Sequence, residues 1–443
     1  MIMKKFVKIK EKIKSFNKTL MIEGDKSLSI RWALLASQAN GKSFSSNLLK
    51  SEDVLNTLNC LKKLGVKVKI FKNQCEITSN GLNSFNYKKN LILDAGNSGT
   101  LARLILGLLV HSKKKIEIKG DKSLSKRDFF RIITPLKKFG AKLNSNNGKL
   151  PVQITGTNFA KPIRYFENRG SAQCKSSVML AALNTKGTTF IKAKKSRDHS
   201  ELLYKYLGLK IKVIKNKKYD IIQVKGKQNI KPFKYNIPGD ISSSAFFIVL
   251  TALSKNSKLK IKNINVNPSR IGILKILKMM GANIKLQNQK KYKGEKIADL
   301  IIKSKDSLKA IKCPSSLNSA AIDEFLLIFL VAARAKGISY FKDLSELNQK
   351  ESPRLIWGSK ILNKMGIKNI LKKDSIRIYG NPDLNLNKKI SINNFLKDHR
   401  VFMTSVIAAL TFGGEWSIFS KDSVNTSFPS FISKIKSLGG KID

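Results

Sequence analysis

A basic loop that leads directly into an apolar stretch is the first part of the chain whose residues could do chemistry. Residues 24–41 read GDKSLSIRWALLASQANG, with Lys26 and Arg31 beside a helix predicted over about 29–39. Three polar side chains could cap that helix: Asp25, Ser27 and Ser29. A helix N-terminus beside two cations favours an anion. This stretch alone fits a capped core helix with solvated cations equally well.

The same arrangement of a polar loop before an apolar helix recurs five more times. The recurrences are GNSGT at 96–100, GSAQ at 170–173, GDIS at 239–242, residues 319–323 and DHR at 398–400. Their starts fall at a period of roughly 70 to 80 residues, which indicates an internal repeat. Six glycines keep the same period, and each is predicted to end a second helix before a strand: Gly65, Gly140, Gly208, Gly281, Gly366 and Gly439. The chain is therefore predicted to contain six copies of one unit.

Arginine is scarce in this chain and is concentrated near these loops. Only twelve of the 85 lysines and arginines are arginine, and six of them lie in short motifs at loops or helix starts: Arg31, Arg103, Arg127, Arg197, Arg354 and Arg400. The rigid guanidinium fork suits carboxylate and phosphate, and lysine does not replace it there. This placement predicts a small polyanionic ligand held by several loops.

Two carboxylates, Asp323 and Glu324, precede the most apolar helix of the chain. They could simply complement the positive end of the helix dipole. Burial against apolar neighbours would instead raise their pKa, as at many catalytic positions. Both interpretations remain open for the residues alone.

Each repeat is predicted to hold one helix that is apolar nearly all round, and hence buried, and one amphipathic helix on a face. With 443 residues, the chain should divide into more than one domain, and three repeats in each is the natural division. We place the crossover at Pro238-Gly239. The predicted fold is α/β, with one domain over 24–237 and a second over 1–23 plus 238–443.

A formal net charge of +56 raises the possibility of a nucleic-acid-binding protein. The lysines, however, are spread through every surface segment, with no interleaved aromatic residues and no recognition motif. We therefore expect a solvated surface and no specific nucleic-acid partner. A non-catalytic basic RNA-binding protein remains the alternative from a different class.

Several other classes of protein are disfavoured by what the sequence lacks. The longest apolar run, 325–333, is too short for a membrane span, and the basic N-terminus has no long apolar region, so a cytoplasmic monomer is expected. The four cysteines form no CxxC pair and are expected to be reduced, mostly buried thiols. The three histidines have no HxxH or HExxH spacing, so no metal site is expected.

Ten motifs, in this order and spacing, resemble the 5-enolpyruvylshikimate-3-phosphate synthase family: GDKSLSIRWALLA, GNSGTLAR, GDKSLSKR, GSAQCKS, SRDHSE, GDISSSA, IDEF, KESPRL, DHR and TSFP. The resemblance runs from about Gly24 to the C-terminus. It implies two similar domains of three βαβαββ units, with buried central helices in an inside-out α/β barrel and a cleft between the domains. It also implies transfer of the enolpyruvyl group of phosphoenolpyruvate to the 5-hydroxyl of shikimate 3-phosphate, with release of phosphate. No metal or organic cofactor is implied.

The resemblance also assigns roles to residues by their motif positions. The residues implied to bind shikimate 3-phosphate are Lys26, Ser27, Arg31, Ser171, Ala172, Gln173, Ser196, Asp323 and Lys350. Those implied to bind phosphoenolpyruvate are Lys26, Asn97, Gly99, Arg127, Gln173, Arg354 and Arg400. The proton transfers are implied for Lys26, Asp323 and Glu351, and the motifs leave the division of acid and base roles among the three open.

The chain departs from the family pattern at several positions. Asn348-Gln349 replaces a segment with a usual arginine, Pro353 enters the loop after Glu351, and Asp128 stands where proline is usual. The resemblance further implies inhibition by glyphosate, because Gly99 lacks the Cβ that tolerant members often carry. Leu104, where many sensitive members have proline, argues against that inhibition.

One sister enzyme also stays open on sequence grounds. The enolpyruvyl transferase that acts on UDP-N-acetylglucosamine shares the fold and an early lysine. It normally carries Lys-Asn where this chain has Lys26-Ser27, and a loop cysteine as its acid. None of the four cysteines here lies in a comparable loop.

Overall fold

A computed structural model describes residues 6–72, 74–305 and 307–443. Thirteen α-helices lie in the described residues: α1 Lys26–Ala36, α2 Glu52–Lys63, α3 Gly99–Leu108, α4 Phe130–Lys138, α5 Ala172–Asn184, α6 His199–Tyr206, α7 Ile241–Leu253, α8 Gly272–Met279, α9 Asn318–Ala321, α10 Phe325–Arg334, α11 Arg354–Met365, α12 His399–Phe412 and α13 Phe431–Ser437. The helix predicted over about 29–39 begins three residues earlier, at Lys26, because the Asp25 carboxylate accepts a hydrogen bond from the Leu28 amide at 2.9 Å and caps it.

The same residues contain twenty-two β-strands. They are β1 Phe6–Ile9, β2 Asn17–Met21, β3 Asn40–Ser46, β4 Lys67–Ile70, β5 Gln74–Asn80, β6 Leu91–Asp94, β7 Ile116–Lys119, β8 Lys142–Asn146, β9 Lys149–Thr155, β10 Arg164–Glu167, β11 Thr188–Lys194, β12 Ile211–Lys215, β13 Tyr219–Lys225, β14 Lys234–Asn236, β15 Lys258–Asn265, β16 Asn283–Tyr292, β17 Glu295–Lys303, β18 Ile338–Phe341, β19 Asn369–Leu371, β20 Ile376–Tyr379, β21 Leu386–Ile392 and β22 Gly413–Phe419.

These strands form six sheets, of which four have four strands in a common order and two have three strands. The sheets are β14-β3-β5-β4, β6-β7-β9-β8, β10-β11-β13-β12, β2-β15-β17-β16, β18-β20-β19 and β21-β22-β1. In the second sheet, β6 runs parallel to β7 with Leu91 opposite Ile116, and β9 runs antiparallel to both β7 and β8. Helices α3 and α4 supply the connections, which gives the unit βαβαββ. The predicted α/β fold of repeated units is confirmed, and no sheet of the described residues closes into a barrel of strands.

Burial separates the two helices of each unit as the apolar patterns predict. Every residue of α7 is buried, as are nine of the ten residues of α10. The second helices, such as α2 and α8, alternate buried and exposed residues. The central helices therefore form the cores, and the amphipathic helices lie against them.

The six periodic glycines all have positive φ angles. These angles range from +71° at Gly208 to +105° at Gly140. L-residues with a Cβ rarely adopt this conformation, so glycine ends each second helix. A strand follows five of these glycines, and none follows Gly439 among the described residues.

The chain divides into two compact units, each with its own hydrophobic core. The N-terminal unit comprises Glu23–Pro238 and Lys291–Glu295, and it contains α1–α6. The C-terminal unit comprises Met1–Ile22, Gly239–Lys290 and Lys296–Asp443, of which the first five residues and residue 306 lie outside the described residues. None of the described helices is long and apolar enough to cross a membrane.

Candidate active site

In the N-terminal unit, the predicted ligand-binding loops lie at the capped starts of three central helices. Asp25, Ser98 and Ser171 accept hydrogen bonds from the amides three residues further on, at 2.9, 3.3 and 3.3 Å. Helix α3 packs against α5, and α1 contacts α3 and α6. The first turns of these helices thereby bring side chains from distant parts of the sequence into contact.

Arg31 joins α1 to the neighbouring helices α5 and α6. Its Nε donates to the Ser200 hydroxyl at 2.9 Å, and its Nη2 donates to the Ser176 hydroxyl at 3.1 Å. Its Nη1 donates to the backbone carbonyl of Ser27 at 3.1 Å. The two serine hydroxyls lie 2.7 Å apart. The guanidinium is therefore held in one orientation by three elements, as a binding group should be.

Ser196 and the 171–173 loop precede, by a few residues, the two serines that hold this arginine. The Ser196 hydroxyl is shielded from solvent and has no hydrogen-bond partner among the described residues. A buried hydroxyl without a partner costs free energy, so it is well suited to a ligand oxygen. Ser171 caps α5 and donates its own amide to Glu167 at 2.9 Å, and Ala172 is the first helical residue.

Gln173 is held by Arg103, a buried arginine of the ligand-binding motifs that the resemblance places in neither substrate site. Arg103 Nη1 donates to Gln173 Oε1 at 2.7 Å, and Gln173 Nε2 donates to the Thr100 hydroxyl at 3.0 Å. Arg103 Nη2 also donates to the backbone carbonyl of Asp128 at 3.3 Å. Burial lowers the pKa of Arg103 to about 10, so it stays cationic at neutral pH. In the sequence, a functional role for Arg103 is indicated by its place in the GNSGTLAR motif and by the scarcity of arginine.

Two guanidinium groups converge on Gly99. A Cβ built at Gly99 would lie 3.0 Å from Arg103 Nη1 and 3.1 Å from Arg127 Nη1. Arg127 Nη2 donates to the Asn97 side chain at 3.2 Å. The bare backbone at this helix start, with two cations facing it, is suited to an anion.

Lys26 and the 96–100 loop both contact α2. Lys26 Nζ lies 2.9 Å from the Asp53 carboxylate in the first turn of α2. Gly96 approaches the same helix so closely that a Cβ there would lie 2.4 Å from the Asn56 side chain. Helix α2 thus positions the predicted catalytic lysine next to the predicted phosphoenolpyruvate loop.

In the C-terminal unit, three carboxylates surround one buried arginine. Arg354 is 2% exposed, and its Nε lies 2.9 Å from Asp398 and its Nη1 3.4 Å from Asp323. Its Nη2 also contacts Glu351. Lys350 Nζ lies 3.4 Å from the same Asp323 oxygen. The structure therefore brings together four of the five site residues predicted in this unit.

Asp398 holds this group together, although the sequence analysis gave it no role beyond its place in the DHR motif. Its carboxylate accepts from the Ser352 amide and hydroxyl at 3.2 and 2.9 Å, and it caps α12 by accepting from the Arg400 amide at 2.9 Å. Burial is the largest single influence and would raise the pKa of Asp398, but the charge of Arg354, its hydrogen bond and the neighbouring His399 together hold that pKa below its ordinary value. Burial disfavours the charged form of Arg354 and would lower its pKa, whereas the charges of the three carboxylates raise it. The carboxylates together prevail, so the pKa of Arg354 is raised.

Arg400 is the fifth predicted site residue of the C-terminal unit. It lies near Glu324, the carboxylate that immediately precedes α10. Its Nη1 lies 3.8 Å from Glu324, the residue after Asp323. Glu324 accepts from the Ser242 hydroxyl at 2.5 Å, and Ser242 in turn accepts from Arg270 at 2.9 Å. A buried polar network therefore positions Arg400, and its members were not assigned from the sequence.

The departures from the family pattern have defined places. Pro353 immediately precedes α11, where its missing amide costs no helical hydrogen bond, and Arg354 begins the helix. Asp128 accepts from the Phe130 amide at 2.8 Å at the start of α4 and lies 3.2 Å from Arg169. Neither substitution breaks the local contacts of the neighbouring arginines.

The four cysteines are buried, and one of them, Cys174, directly follows Gln173 in the first turn of α5. All four are free and buried: Cys60, Cys75, Cys174 and Cys313. Burial raises the pKa of each thiol, to about 12 at Cys60 and about 11 at Cys313. Among the described residues, no group of three or more His, Cys, Asp or Glu side chains is arranged to hold a metal ion. The expected absence of a cofactor stays a prediction.

A family model and curated relatives match nearly the whole chain. The model for EPSP synthase (3-phosphoshikimate 1-carboxyvinyltransferase) matches residues 10–435. A 3-phosphoshikimate 1-carboxyvinyltransferase of Ruthia magnifica subsp. Calyptogena magnifica is 41% identical over 431 residues, which cover 97% of each chain. The chain belongs to the EPSP synthase family. A further relative with the same name, from Petrotoga mobilis, is 38% identical over 96% of this chain and 98% of its own.

Solved structures agree with this membership. An EPSP synthase from Acinetobacter baumannii is 33% identical, has a TM-score of 0.87, and is matched over 99% of both chains. The enolpyruvyl transferase NikO from Streptomyces tendae has a TM-score of 0.79 at 13% identity, which shows a shared fold. As an EPSP synthase family member, the chain is a transferase, and its reaction is the enolpyruvyl transfer of the shikimate pathway.

Proposed function

We propose that the chain performs this transfer with the two clusters of side chains described above. The N-terminal unit supplies the binding groups around Arg31, Gly99 and Gln173, and the C-terminal unit supplies the carboxylates around Arg354. Turnover requires both clusters. The two compact units are proposed to be the two domains of the enzyme.

Shikimate 3-phosphate is proposed to bind at the starts of α1, α5 and α6. Arg31 and the Ser196 hydroxyl, which has no other hydrogen-bond partner among the described residues, would bind the phosphate and hydroxyl groups of shikimate 3-phosphate. The capped first turn of α5 adds backbone amides as donors. The full set of proposed ligands is Lys26, Ser27, Arg31, Ser171, Ala172, Gln173, Ser196, Asp323 and Lys350. The observation that supports this assignment is Arg31, which is held by hydroxyls of α5 and α6. The α6 hydroxyl belongs to Ser200, four residues in sequence after the buried Ser196 hydroxyl.

Phosphoenolpyruvate is proposed to lie at Gly99, where two guanidinium groups converge. It carries a phosphate and a carboxylate, and the forked donors of arginine suit both. The proposed ligands are Lys26, Asn97, Gly99, Arg127, Gln173, Arg354 and Arg400. Arg103, which contacts Gln173 and faces Gly99, is added as the residue that orients them.

The chemistry is an addition followed by an elimination. The 5-hydroxyl oxygen bonds to C2 of phosphoenolpyruvate, its proton passes to Asp323, and the methylene carbon takes a proton from Glu351. In the resulting tetrahedral ketal-like intermediate the bond between C2 and the phosphate oxygen breaks, the departing phosphate takes the proton held by Asp323, and the methyl group returns a proton to Glu351. Lys26 is the second candidate for the proton at the methylene carbon. Lys350 and Arg354, which contact Asp323, stabilise its carboxylate as the base.

Steady-state rates of two variants test this assignment. Glu351→Gln and Asp323→Ala should each lower turnover by roughly a hundredfold or more, because each removes a proton-transfer group. The matched control is Glu346→Gln, which neutralises an exposed carboxylate five residues before Glu351 and should retain the wild-type rate. Rates of both site variants within a few-fold of wild type would refute the proposed roles.

Isotope exchange separates the two acids. In D2O, with shikimate 3-phosphate present, wild type should incorporate deuterium into the methylene group of phosphoenolpyruvate through the reversible addition. Glu351→Gln should abolish that exchange. If exchange survives in Glu351→Gln and is lost in Lys26→Met, Lys26 is the acid.

The choice of acceptor substrate tests the reaction itself. Purified chain should release phosphate from phosphoenolpyruvate with shikimate 3-phosphate and not with UDP-N-acetylglucosamine. The buried thiols, with their raised pKa values, offer no cysteine acid of the kind the sister enzyme uses. A monomeric state and a cytoplasmic location stay predictions, which size-exclusion chromatography with light scattering and cell fractionation would check.

A further inference from the structure

A five-residue segment from a distant hairpin belongs to the N-terminal unit. Lys291–Glu295 connects β16 and β17, whose remaining residues belong to the C-terminal unit. The Tyr292 hydroxyl accepts a hydrogen bond from the Asn236 amide at 3.0 Å, and its ring centroid lies 5.9 Å from that of Tyr235. Gly294, at φ +89°, lies so close to α6 that a Cβ would be 2.8 Å from the Leu202 carbonyl oxygen. The segment is therefore closely packed against α6.

The last residue of this segment forms a buried side-chain hydrogen bond with the first residue of α6. Glu295 Oε1 lies 2.6 Å from His199 Nδ1, and both side chains are 0% exposed. A carboxylate and an imidazole fully removed from water must be paired, because either alone would carry a large desolvation cost. The pair therefore fixes the position of His199, which the sequence analysis noted in the SRDHSE motif without assigning it a function.

His199 is adjacent in sequence to a residue that holds Arg31. Ser200 accepts from Arg31 Nε at 2.9 Å and lies 2.7 Å from Ser176, which accepts from Arg31 Nη2 at 3.1 Å. Ser196, with its buried and unpartnered hydroxyl, precedes the same helix by three residues. A shift of the first turn of α6 would displace Ser200 and thereby change the orientation of Arg31.

Helix α6 has a second buried attachment that the pair does not replace. Lys175 of α5 lies 2.6 Å from Glu201, and both side chains are nearly fully buried. Glu201 is two residues beyond His199, so this contact holds the helix against α5 even when the pair with Glu295 is broken. Loss of Glu295 should therefore disturb the position of the first turn of α6 and leave the helix folded.

We propose that Glu295 is a positioning residue for the shikimate 3-phosphate site, acting through His199 and Ser200 on Arg31. This inference rests on the proposed function. The proposal extends the shikimate 3-phosphate site to Lys291–Glu295, a segment that contains none of the family motifs. A determinant of substrate affinity would then lie about a hundred positions away in sequence from α6, the helix that it supports. Glu295 touches no substrate in this arrangement, so its effect should be on affinity and not on the chemical step.

Kinetics of Glu295 variants test the inference. Glu295→Ala should raise KM for shikimate 3-phosphate roughly tenfold, since a supporting hydrogen bond to a charged partner is lost. The kcat at saturation and KM for phosphoenolpyruvate should stay within about twofold of wild type, because the groups that meet the reacting atoms are unchanged. Glu295→Gln keeps an oxygen that can accept from His199 Nδ1, and it should recover most of the affinity.

Two further variants make the test specific. Tyr292→Phe removes a hydrogen bond from the same segment without touching α6, and it should leave KM for shikimate 3-phosphate unchanged. His199→Ala should raise that KM as Glu295→Ala does, and the double variant should be no worse than either, because both changes break one pair. Circular dichroism and thermal unfolding confirm that each variant is folded. If Glu295→Ala does not fold, folded His199→Ala, which should raise this KM, is compared with Glu295→Gln, which should not.

Three results would overturn the inference. They are an unchanged KM for shikimate 3-phosphate in folded Glu295→Ala, additive effects in the double variant, and a fall in kcat with both KM values unchanged. Failure of the proposed function is seen separately, because wild type would then release no phosphate with shikimate 3-phosphate. In that case calorimetric titration of shikimate 3-phosphate into wild type and Glu295→Ala still reports whether the pair controls affinity.

Discussion

At the scale of single residues, the space at Gly99 is bounded by the guanidinium groups of Arg103 and Arg127. A Cβ at this position would lie 3.0 to 3.1 Å from both, so alanine must push at least one arginine aside. The family resemblance implies that glyphosate, an anionic inhibitor, binds in the phosphoenolpyruvate pocket. We predict that wild type is inhibited by glyphosate and that Gly99→Ala raises both the inhibitory concentration and KM for phosphoenolpyruvate.

The measurement is a glyphosate titration at phosphoenolpyruvate concentrations near KM. Gly208→Ala is the control, because a Cβ at Gly208 meets no atom within 4 Å and the residue is not among the site residues. KM for shikimate 3-phosphate should stay unchanged in Gly99→Ala. Wild type that resists millimolar glyphosate, or an alanine variant that is no more tolerant, would show that the steric argument is wrong and that Leu104 matters more.

Asp398 links the site to stability through its ionisation. Its pKa is held below the ordinary value of 3.8, so its carboxylate stabilises the fold at neutral pH. That contribution is present above the unfolded pKa and is lost as the pH falls through the lower, folded pKa. Asp398→Asn should cost about 3–5 kcal/mol at pH 7, because it leaves the buried Arg354 without its main partner.

The pH dependence of unfolding checks this prediction. Denaturant unfolding of wild type and Asp398→Asn between pH 3 and pH 7 should show a difference in stability that is constant near neutrality and shrinks below about pH 4. Asp422→Asn, in an exposed pair with Lys397, is the control and should change stability little. A difference that grows as the pH falls would contradict the assigned direction of the shift.

At the scale of elements, the glycines that end the second helices do not all serve one purpose. Gly208 has φ +71° and open space around its Cβ position, whereas Gly65 has φ +87° and the Asn86 carbonyl oxygen at 2.2 Å. Gly208→Ala should cost about 1–2 kcal/mol, the penalty of the left-handed conformation alone. Gly65→Ala should cost about 1–3 kcal/mol more, because the backbone at Asn86 must move away from the added Cβ.

Urea unfolding of the two variants compares these glycines within one unit. Gly208→Asn is a further control, since asparagine tolerates the left-handed region and should be less destabilising than alanine. Equal losses at the two glycines would mean that the close approach of Asn86 has no energetic consequence.

Helices and turns could be predicted from the sequence where a single physical cause determines their burial or conformation. The burial of α7 follows from a helix without a polar face, and the positive φ of Gly208 follows from its place at a helix end. The exact start of α1 was not predictable, because any of three side chains could cap it and only the tertiary position of Asp25 decides. The domain boundaries stay a prediction.

The site residues were predicted from their positions in the family motifs. The residues that were missed lie outside those motifs or act on other side chains. Asp398 and Arg103 lie in recognised motifs, but their contacts with Arg354 and Gln173 depend on helix packing. Glu295 is in no motif, and its pairing with His199 spans 96 positions of sequence. A single sequence carries no local signal for such a pair, because burial and proximity arise only from the fold.

At the scale of the whole molecule, the net charge of +56 creates an attractive field for anions of any kind. Two kinds of binding follow, and they differ in how salt affects them. Polyanions such as RNA would contact many exposed lysines, and each neutralised phosphate adds to the salt dependence. The small substrates are proposed to meet buried or half-buried arginines, whose interactions are screened much less.

We therefore predict that the chain retains RNA at low ionic strength without sequence preference and releases it steeply as salt rises. Turnover of shikimate 3-phosphate and phosphoenolpyruvate should persist at roughly 0.3 M NaCl, where non-specific contacts are largely screened. Filter binding of two unrelated RNA sequences, alongside phosphate release at each salt concentration, makes the comparison, with heparin as a polyanion that carries no base sequence. Binding that discriminates between the RNAs and survives this salt would favour the RNA-binding alternative, since charge alone cannot produce either property.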